Sequence, residues 1–180
     1  MGDLLIRTAS DDDVRTLVED KDDRHYFLDH LGNGRGILLF AFLNDVFVGR
    51  IFLRLEPAEE PELRDGLPGV PLLQHFKVRQ EHRGSGIGRR LLRDAEQRLS
   101  DQGHRRVALA VHPENKRAIK LYRRQRYRAW RKGVLTTYVE RVVEGGRTVR
   151  REEPCLVFVK RLGVWAMMTP CGWSWRRRTH

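Results

Sequence analysis

Cysteine is scarce in this chain of 180 residues, which contains only Cys155 and Cys171. The two form no Cys-x-x-Cys pair and show no metal-ligand spacing. The sequence therefore predicts no metal site and no disulfide framework. We expect Cys155 to be a small apolar residue of a strand.

Long apolar runs are also missing. No stretch approaches the ~18 apolar residues of a membrane-spanning helix. The N-terminus lacks the basic segment and apolar run of a signal peptide. These absences predict a cytoplasmic protein with no membrane partner. The length of the chain and its 40% hydrophobic residues suit one packed domain better than two.

Acidic residues become rare in the second part of the chain. Residues 1–80 carry 15 Asp and Glu against 10 Lys and Arg, a net charge of −5, whereas residues 81–180 carry 9 against 25, a net charge of +16. The basic part suits a ligand with several phosphate charges, and the acidic part suits a cationic amine. Alternatively, the arginines only cover solvated helix faces. A nucleic-acid partner is not favoured.

Three closely spaced glycines follow an apolar strand in the segment Val78–Arg90, which reads V-R-Q-E-H-R-G-S-G-I-G-R-R. Glycines allow a tight turn there, the following helix offers unpaired N–H groups, and Arg83 adds a cation, so the segment suits a phosphate. A Walker loop needs Lys and Ser or Thr where Arg89 and Arg90 stand. A dinucleotide fingerprint needs glycine at Arg89 or Leu91. Both motifs are excluded.

Hydrophobic patterning predicts alternating strands and helices. The expected strands are Leu4–Thr8, Ile37–Leu43, Val46–Leu55, Leu72–Val78, Val107–Val111, Val134–Val143 and a last strand from Thr148 that closes with Cys155–Leu162. The expected helices run from the Ser10 and Asp13 capping box through Val18, from Asp22 to Leu31, from Gly86 to about Ser100, and from Pro113-Glu114-Asn115. Hairpin turns are expected at Asn44-Asp45 and Glu144-Gly145-Gly146, and a long acidic loop at Glu56–Pro71.

A second motif lies about thirty residues after the glycines, in V-H-P-E-N-K-R-A-I-K-L-Y-R-R-Q-R-Y. Asn115 and Tyr122 are seven residues apart, or two helical turns, so they share one face of the helix with Ala118 between them. One helix could therefore present an amide and a phenol to the same ligand. Asn115 could also cap the helix, and Tyr122 could be a core residue.

With these two motifs in order, the chain resembles the GCN5-related N-acetyltransferases (GNAT), whose Gln/Arg-x-x-Gly-x-Gly/Ala loop wraps the pyrophosphate of acetyl-coenzyme A. The resemblance covers roughly residues 3–162. It implies an α/β (α+β) fold with a central mixed, mostly antiparallel sheet flanked by helices, and a GNAT domain at residues 1–162. A Trp- and Arg-rich tail, residues 163–180, follows.

The resemblance also implies site residues. The family's asparagine that contacts the coenzyme corresponds to Asn115, and its tyrosine beside the sulfur corresponds to the catalytic candidate Tyr122. The backbone N–H of Val78 is the oxyanion donor. The residues implied for the pyrophosphate are those of the loop and the helix start: Arg83, Gly84, Ser85, Gly86, Ile87, Gly88 and Arg89.

Two positions depart from the family pattern. Many relatives place a glutamate base on the strand before the loop, where this chain has Gln74 and His75. His75 is therefore the second catalytic candidate, as the acceptor of the proton that an alkylammonium must lose; it could also be a packed strand histidine. Glu56, Glu59 and Glu60 in the acidic loop are other candidates for this base. Arg126 stands where the family usually has glycine, at a cost of about 1 to 2 kcal/mol if the backbone is left-handed.

The predicted function is acetyl transfer from acetyl-coenzyme A to a primary amine, most simply a small cationic one, by direct attack. Acetylation of a protein N-terminus or lysine is the enzymatic alternative, and a non-catalytic acyl-coenzyme A sensor is a third. The partners are thus acetyl-coenzyme A and an amine acceptor. The sequence leaves homodimer formation open.

Overall fold

The computed structural model describes residues 2–143 and 147–163. In this part of the chain the strands are β1 Leu4–Thr8, β2 Gly36–Leu43, β3 Val46–Arg54, β4 Leu72–Val78, β5 Arg106–Val111, β6 Arg128–Ala129, β7 Leu135–Val143 and β8 Arg147–Arg161. The helices are α1 Asp11–Leu17, α2 Lys21–Gly32, α3 Pro61–Gly66, α4 Ile87–Asp101 and α5 Lys116–Arg124. The expected turn at 144–146 and the tail beyond Gly163 lie outside the described residues, and the boundary at residue 162 stays a prediction.

These strands form one mixed sheet with the order β1-β2-β3-β4-β5-β8-β6, and β7 pairs with β8. β4 and β5 run parallel, and the other neighbours run antiparallel. The predicted fold class is therefore confirmed. Within the described residues, no helix has both the length and the apolar composition needed to cross a bilayer.

The two faces of the sheet have different helical covers. On one face, α4 buries its apolar stripe completely, with Leu91, Leu92 and Leu99 fully inaccessible, which stabilises the fold by about 1.5–3 kcal/mol for each leucine. On the opposite face, Val14 of α1 and Phe27 of α2 pack in a second cluster with aromatic residues of β2 and β3. A ligand that contacts both sets of helices must reach through the sheet.

Several local expectations need correction. The loop predicted for Glu56–Pro71 contains the short helix α3, which begins at Pro61 because proline suits the first helical turn. Pro113 was expected in the first turn of α5, but α5 begins at Lys116, and Asn115 is its N-cap. The patterning also missed β6, which has only two residues. The capping box of α1, in contrast, is formed as predicted.

A β-bulge interrupts β4 in the middle of the sheet. Phe52 pairs with Gln74 and Arg50 pairs with Lys77, so a single β3 residue faces both His75 and Phe76. His75 has the left-handed φ of 47° that such an extra residue can adopt. The pairing of β4 with β5 ends at Leu73, just before the bulge. In the described structure, β4 and β5 therefore separate beyond this point.

Candidate active site

A cavity of about 580 Å³ opens on the α2 side of the separated strands. Residues of α2, the segment before α3, β4, β5, β7 and β8 line it. Among the described residues that line it, five carry carboxylates: Asp22, Asp23, Glu59, Glu60 and Glu153. The lining also includes one arginine, Arg54, which is itself paired with Glu59. The cavity is therefore suited to a cationic guest.

The bulge decides which β4 side chains reach this cavity. Successive strand residues normally point to opposite faces, but Gln74 and His75 both line the cavity because the extra residue breaks the alternation. Phe76 then returns to the α4 side, where its ring lies 6.4 Å from that of Tyr122. Two neighbouring polar side chains are thus presented to one ligand.

His75 is held by α2. Its Nδ1 lies 3.0 Å from Oδ1 of Asp23, and its side chain is 28% exposed. The ring centroid lies 5.0 Å from the rings of both Tyr26 and Phe27. His75 is therefore fixed in orientation while one edge stays open to the cavity, as a proton acceptor requires.

Gln74, which precedes His75 on β4, also contacts α2. The hydroxyl of Tyr26 donates a hydrogen bond of 2.9 Å to Oε1 of Gln74. Burial raises the pKa of Tyr26 to about 12, so this phenol stays protonated at neutral pH. Neither group can accept a proton from an ammonium ion, which leaves that task to another residue.

The three loop glutamates proposed as bases differ in their surroundings. Glu56 and Glu59 both bind the buried Arg54, at 3.0 and 2.9 Å, and Glu56 also lies 3.0 Å from His30. Glu60 precedes α3 at its N-cap and lines the cavity. Among the described residues, Glu60 has no ion-pair partner. Of these three glutamates, Glu60 is thus the one whose charge remains available to a guest in the described structure.

On the other side of the sheet, the glycine loop leads into α4. Gly84 and Gly86 have φ values of 91° and 92°, in the left-handed region that glycine adopts readily. Gly86 is the N-cap of α4 and makes no side-chain cap, so the N–H groups of the first turn have no acceptor within the helix. With the positive end of the helix dipole, these N–H groups are suited to bind an anion.

The remaining loop residues have distinct surroundings. The Ser85 hydroxyl donates to the carbonyl of His82, and Arg83 Nε donates to the carbonyl of Val78. Ile87 is buried in the core, so only its backbone can meet a ligand. A Cβ at Gly88 would lie 3.2 Å from the Phe76 ring, so a side chain there would crowd that ring.

The backbone of Val78 faces the gap between the strands. The N–H of Arg79 donates a hydrogen bond to the carbonyl of Val48 in β3. Because successive N–H groups of a strand point to opposite sides, the Val78 N–H points away from β3. The resemblance to the family implied that this group is the oxyanion donor, and its direction suits that role.

α5 places Asn115 and Tyr122 on the α4 side of the sheet. The Asn115 side chain accepts a hydrogen bond from the N–H of Ala118, so it caps the helix as considered above. Tyr122 is buried with Ile119 against the core cluster. Within the described structure its hydroxyl has no hydrogen-bond partner, and burial raises its pKa to about 12. The phenol is therefore a free, protonated donor.

Sequence reasoning missed Asp23 and Tyr26, which complete the cavity from α2. The two are three residues apart, so they share the helix face that packs against β4. That spacing is visible in the sequence, but it does not reveal which strand the face meets. Within the described residues, no group of three His, Cys, Asp or Glu side chains is placed to hold a metal ion.

Comparison with known proteins identifies the family. The model of the acetyltransferase (GNAT) family matches residues 5–127. No curated protein matches the chain. Among the structures that match, NAA60 of Arabidopsis thaliana in complex with acetyl-CoA has 18% identity and a TM-score of 0.66, over 89% of this chain and 99% of its own.

Two bacterial structures have the same fold. The ribosomal-protein-alanine N-acetyltransferase of Brucella melitensis has 21% identity and a TM-score of 0.62, over 88% of this chain and 99% of its own. The yncA protein of Salmonella typhimurium with its cofactor acetyl-CoA has 18% identity and a TM-score of 0.61, over 93% and 99%. Because the family model matches well over half of the chain, this protein belongs to the GNAT family of acetyltransferases.

Proposed function

We propose that this protein transfers the acetyl group of acetyl-coenzyme A to the primary amine of a small cationic molecule, by direct attack in a ternary complex. One observation carries the proposal. The glycine loop lies on the α4 side of the sheet and the acidic cavity lies on the α2 side. The gap between β4 and β5 lies between the loop and the cavity. A thioester inserted in that gap would meet an amine from the opposite face.

Coenzyme binding rests on backbone groups. Three N–H groups, those of Ile87, Gly88 and Arg89, lie in the first turn of α4, and Gly84 and Gly86 give the loop the turn that directs them outward. The basic side chain of Arg89 is exposed beside them. These features fit a diphosphate without any metal ion, and Asn115 at the start of α5 offers a further polar contact.

Tyr122 would donate a hydrogen bond to the departing sulfur. Its pKa of about 12 exceeds that of a thiol, near 8.5, by roughly 3.5 units, so complete proton transfer from the phenol costs about 5 kcal/mol. The phenol therefore stabilises the thiolate as a donor, and the proton that the amine nitrogen loses on forming the amide restores the balance. The Val78 N–H would bind the oxyanion.

The acceptor amine must first lose a proton, and His75 is the proposed acceptor of that proton. It lines the cavity beside Gln74, which has no basic group at neutral pH. The cavity carboxylates without an arginine partner, Glu60 among them, would hold a positive charge elsewhere on the same guest. A small molecule with more than one cationic centre suits this arrangement best.

Turnover with free amines tests the proposal. Purified protein with acetyl-coenzyme A and a panel of amines should release free thiol, and Tyr122→Phe should lower kcat about 100-fold. Tyr127→Phe is the matched control, since it removes a buried hydroxyl that bonds Glu96 on the same side of the sheet. Equal loss in both variants, or no loss in either, would refute the role of Tyr122.

Protein or peptide acetylation is the second candidate, because two matching structures are named for protein substrates or a bisubstrate analogue. The cavity shape favours the small amine, because Glu59 and Glu60 before α3 and Leu63 within it close one side of the cavity. The panel should therefore include peptides with free N-termini and with lysine. Preference for a peptide would overturn the small-amine assignment, and tight coenzyme binding without any turnover would favour a sensor.

A further inference from the structure

We propose that Asp23 is a positioning residue for acetyl transfer: its carboxylate holds Nδ1 of His75 from α2, so that Nε2 faces the cavity as the proton acceptor. This inference rests on the proposed function and deepens it. It assigns a role to a side chain of α2 that the resemblance to the family did not point to.

The contact selects one form of the imidazole. Nδ1 of His75 lies 3.0 Å from Oδ1 of Asp23, which is within hydrogen-bond range. An ionised carboxylate can only accept, so the contact favours a proton on Nδ1. In the neutral ring, Nε2 then carries the lone pair. This is the state in which a histidine can take a proton from an ammonium ion.

The open edge of the ring is on the cavity side. Among the described residues, Nε2 of His75 has no hydrogen-bond partner, and the residue lines the cavity. Tyr26 lies beside the ring at 39° and Phe27 meets it edge-on at 79°. The bulged backbone, the two aromatic rings and the carboxylate therefore fix the imidazole in one direction.

Asp23 is well suited to remain ionised beside the histidine. Burial acts to raise the pKa of Asp23, but its contact with His75 and the charges of Arg50 and Lys77 outweigh burial and hold that pKa well below its usual range. Oδ2 binds the buried Arg50 and lies 3.4 Å from Lys77 Nζ. Asp23 also lies in the first turn of α2, where the helix dipole favours its ionised form.

The proton balance is simple. The ammonium nitrogen gives one proton to Nε2 of His75, which becomes an imidazolium beside the Asp23 carboxylate. The free amine then forms the C–N bond, the C–S bond breaks, and the second nitrogen proton ends on the sulfur. The imidazolium returns its proton to solvent. Asp23 neither gains nor loses a proton at any stage.

A structural role for Asp23 must be separated from this one, because Arg50 is only 6% exposed and depends on the same carboxylate. Removal of Asp23 alone would leave a buried cation unpaired and could prevent folding. The test therefore compares Arg50→Met with the double variant Asp23→Asn/Arg50→Met. Lys77→Met is the control, because it removes a cation that lies near the Asp23 carboxylate but leaves the contact between Asp23 and His75 in place. The Lys77 side chain is 66% exposed, so the change buries no unpaired charge.

We expect the double variant to have a kcat about 10- to 100-fold below that of Arg50→Met. The charged and titratable groups facing this site are Asp22, Asp23 and Tyr26 from α2, Arg50 from β3, and Lys77 from β4. Lys77→Met should change kcat less than about threefold.

Nitrogen NMR of the imidazole gives a readout that does not need turnover. In the Arg50→Met protein the neutral His75 ring should carry its proton on Nδ1, and in the double variant this preference should be lost. If the double variant turns over at the same rate as Arg50→Met and keeps the same imidazole tautomer, the role of Asp23 alone is overturned. A wild-type protein that acetylates no acceptor would overturn the proposed function and this role with it.

Discussion

Substitution of Gly86 by aspartate tests whether the loop before α4 binds the diphosphate of coenzyme A. Gly86 has a φ of 92°, and a Cβ placed there would meet no atom within 4 Å. The new side chain is thus accommodated, but it occupies a backbone conformation that L residues rarely adopt. It also places a negative charge at the N-cap, next to the free N–H groups.

The size of the effect follows from two contributions. The left-handed backbone costs about 1–2 kcal/mol of folding stability, toward the lower end for aspartate. The charge acts on binding: at about 4 Å in water, one pair of like charges costs about 1 kcal/mol, so a diphosphate with two charges loses about 2 kcal/mol. The dissociation constant for coenzyme A should therefore rise about 30-fold.

Isothermal titration calorimetry with coenzyme A measures this change. Gly86→Ala keeps the strain without the charge and should weaken binding far less. Gly103→Asp is matched in strain, because Gly103 follows the C-terminal end of α4 with a φ of 88° and open space around it. The affinity of this variant for coenzyme A should equal that of the wild type. If Gly86→Asp binds coenzyme A as tightly as Gly103→Asp does, the loop is not the phosphate site.

Three further outcomes concern stability. Arg126 has a φ of 68°, so Arg126→Gly should raise the free energy of unfolding in urea by about 0.5–1 kcal/mol; a decrease would contradict the strain. Ser10→Ala should lower it by about 1 kcal/mol, whereas Ser10→Asn should retain most of it. Burial raises the pKa of Tyr26 and of Tyr122 to about 12. The contribution of each tyrosine to the free energy of unfolding should therefore be complete below pH 10 and fall by about 2–3 kcal/mol as the pH rises from 10 to 12. Tyr122→Phe should make this decline shallower, and an unchanged decline would refute the assignment.

Local chemistry made much of the fold predictable. Asn44 and Asp45 both have positive φ, at 48° and 64°, as a two-residue hairpin turn requires. The α4 stripe was recognisable because apolar residues recur at helical spacing, and all of its expected core positions are buried. Turns and caps depend on neighbours within a few residues, so their signals survive in the sequence alone.

The long-range arrangement of the cavity was not predictable in the same way. Gln74 and His75 are adjacent in sequence and would be expected on opposite faces of β4, but the bulge brings both to the α2 side. Asp23 reaches His75 across 52 positions of the chain, and nothing near either residue encodes the contact. Pairing across a sheet depends on where each strand slips in register, which tertiary packing decides.

The sequence by itself determined the family, the glycine loop and the helix that carries Tyr122, because each is recognisable from a short contiguous motif. The tertiary structure alone decided that an acidic cavity faces that loop across the sheet. Its carboxylates come from α2, the α3 segment and β8, which approach one another only when the chain folds. The physical reason is that a charge pattern in space is the sum of distant segments.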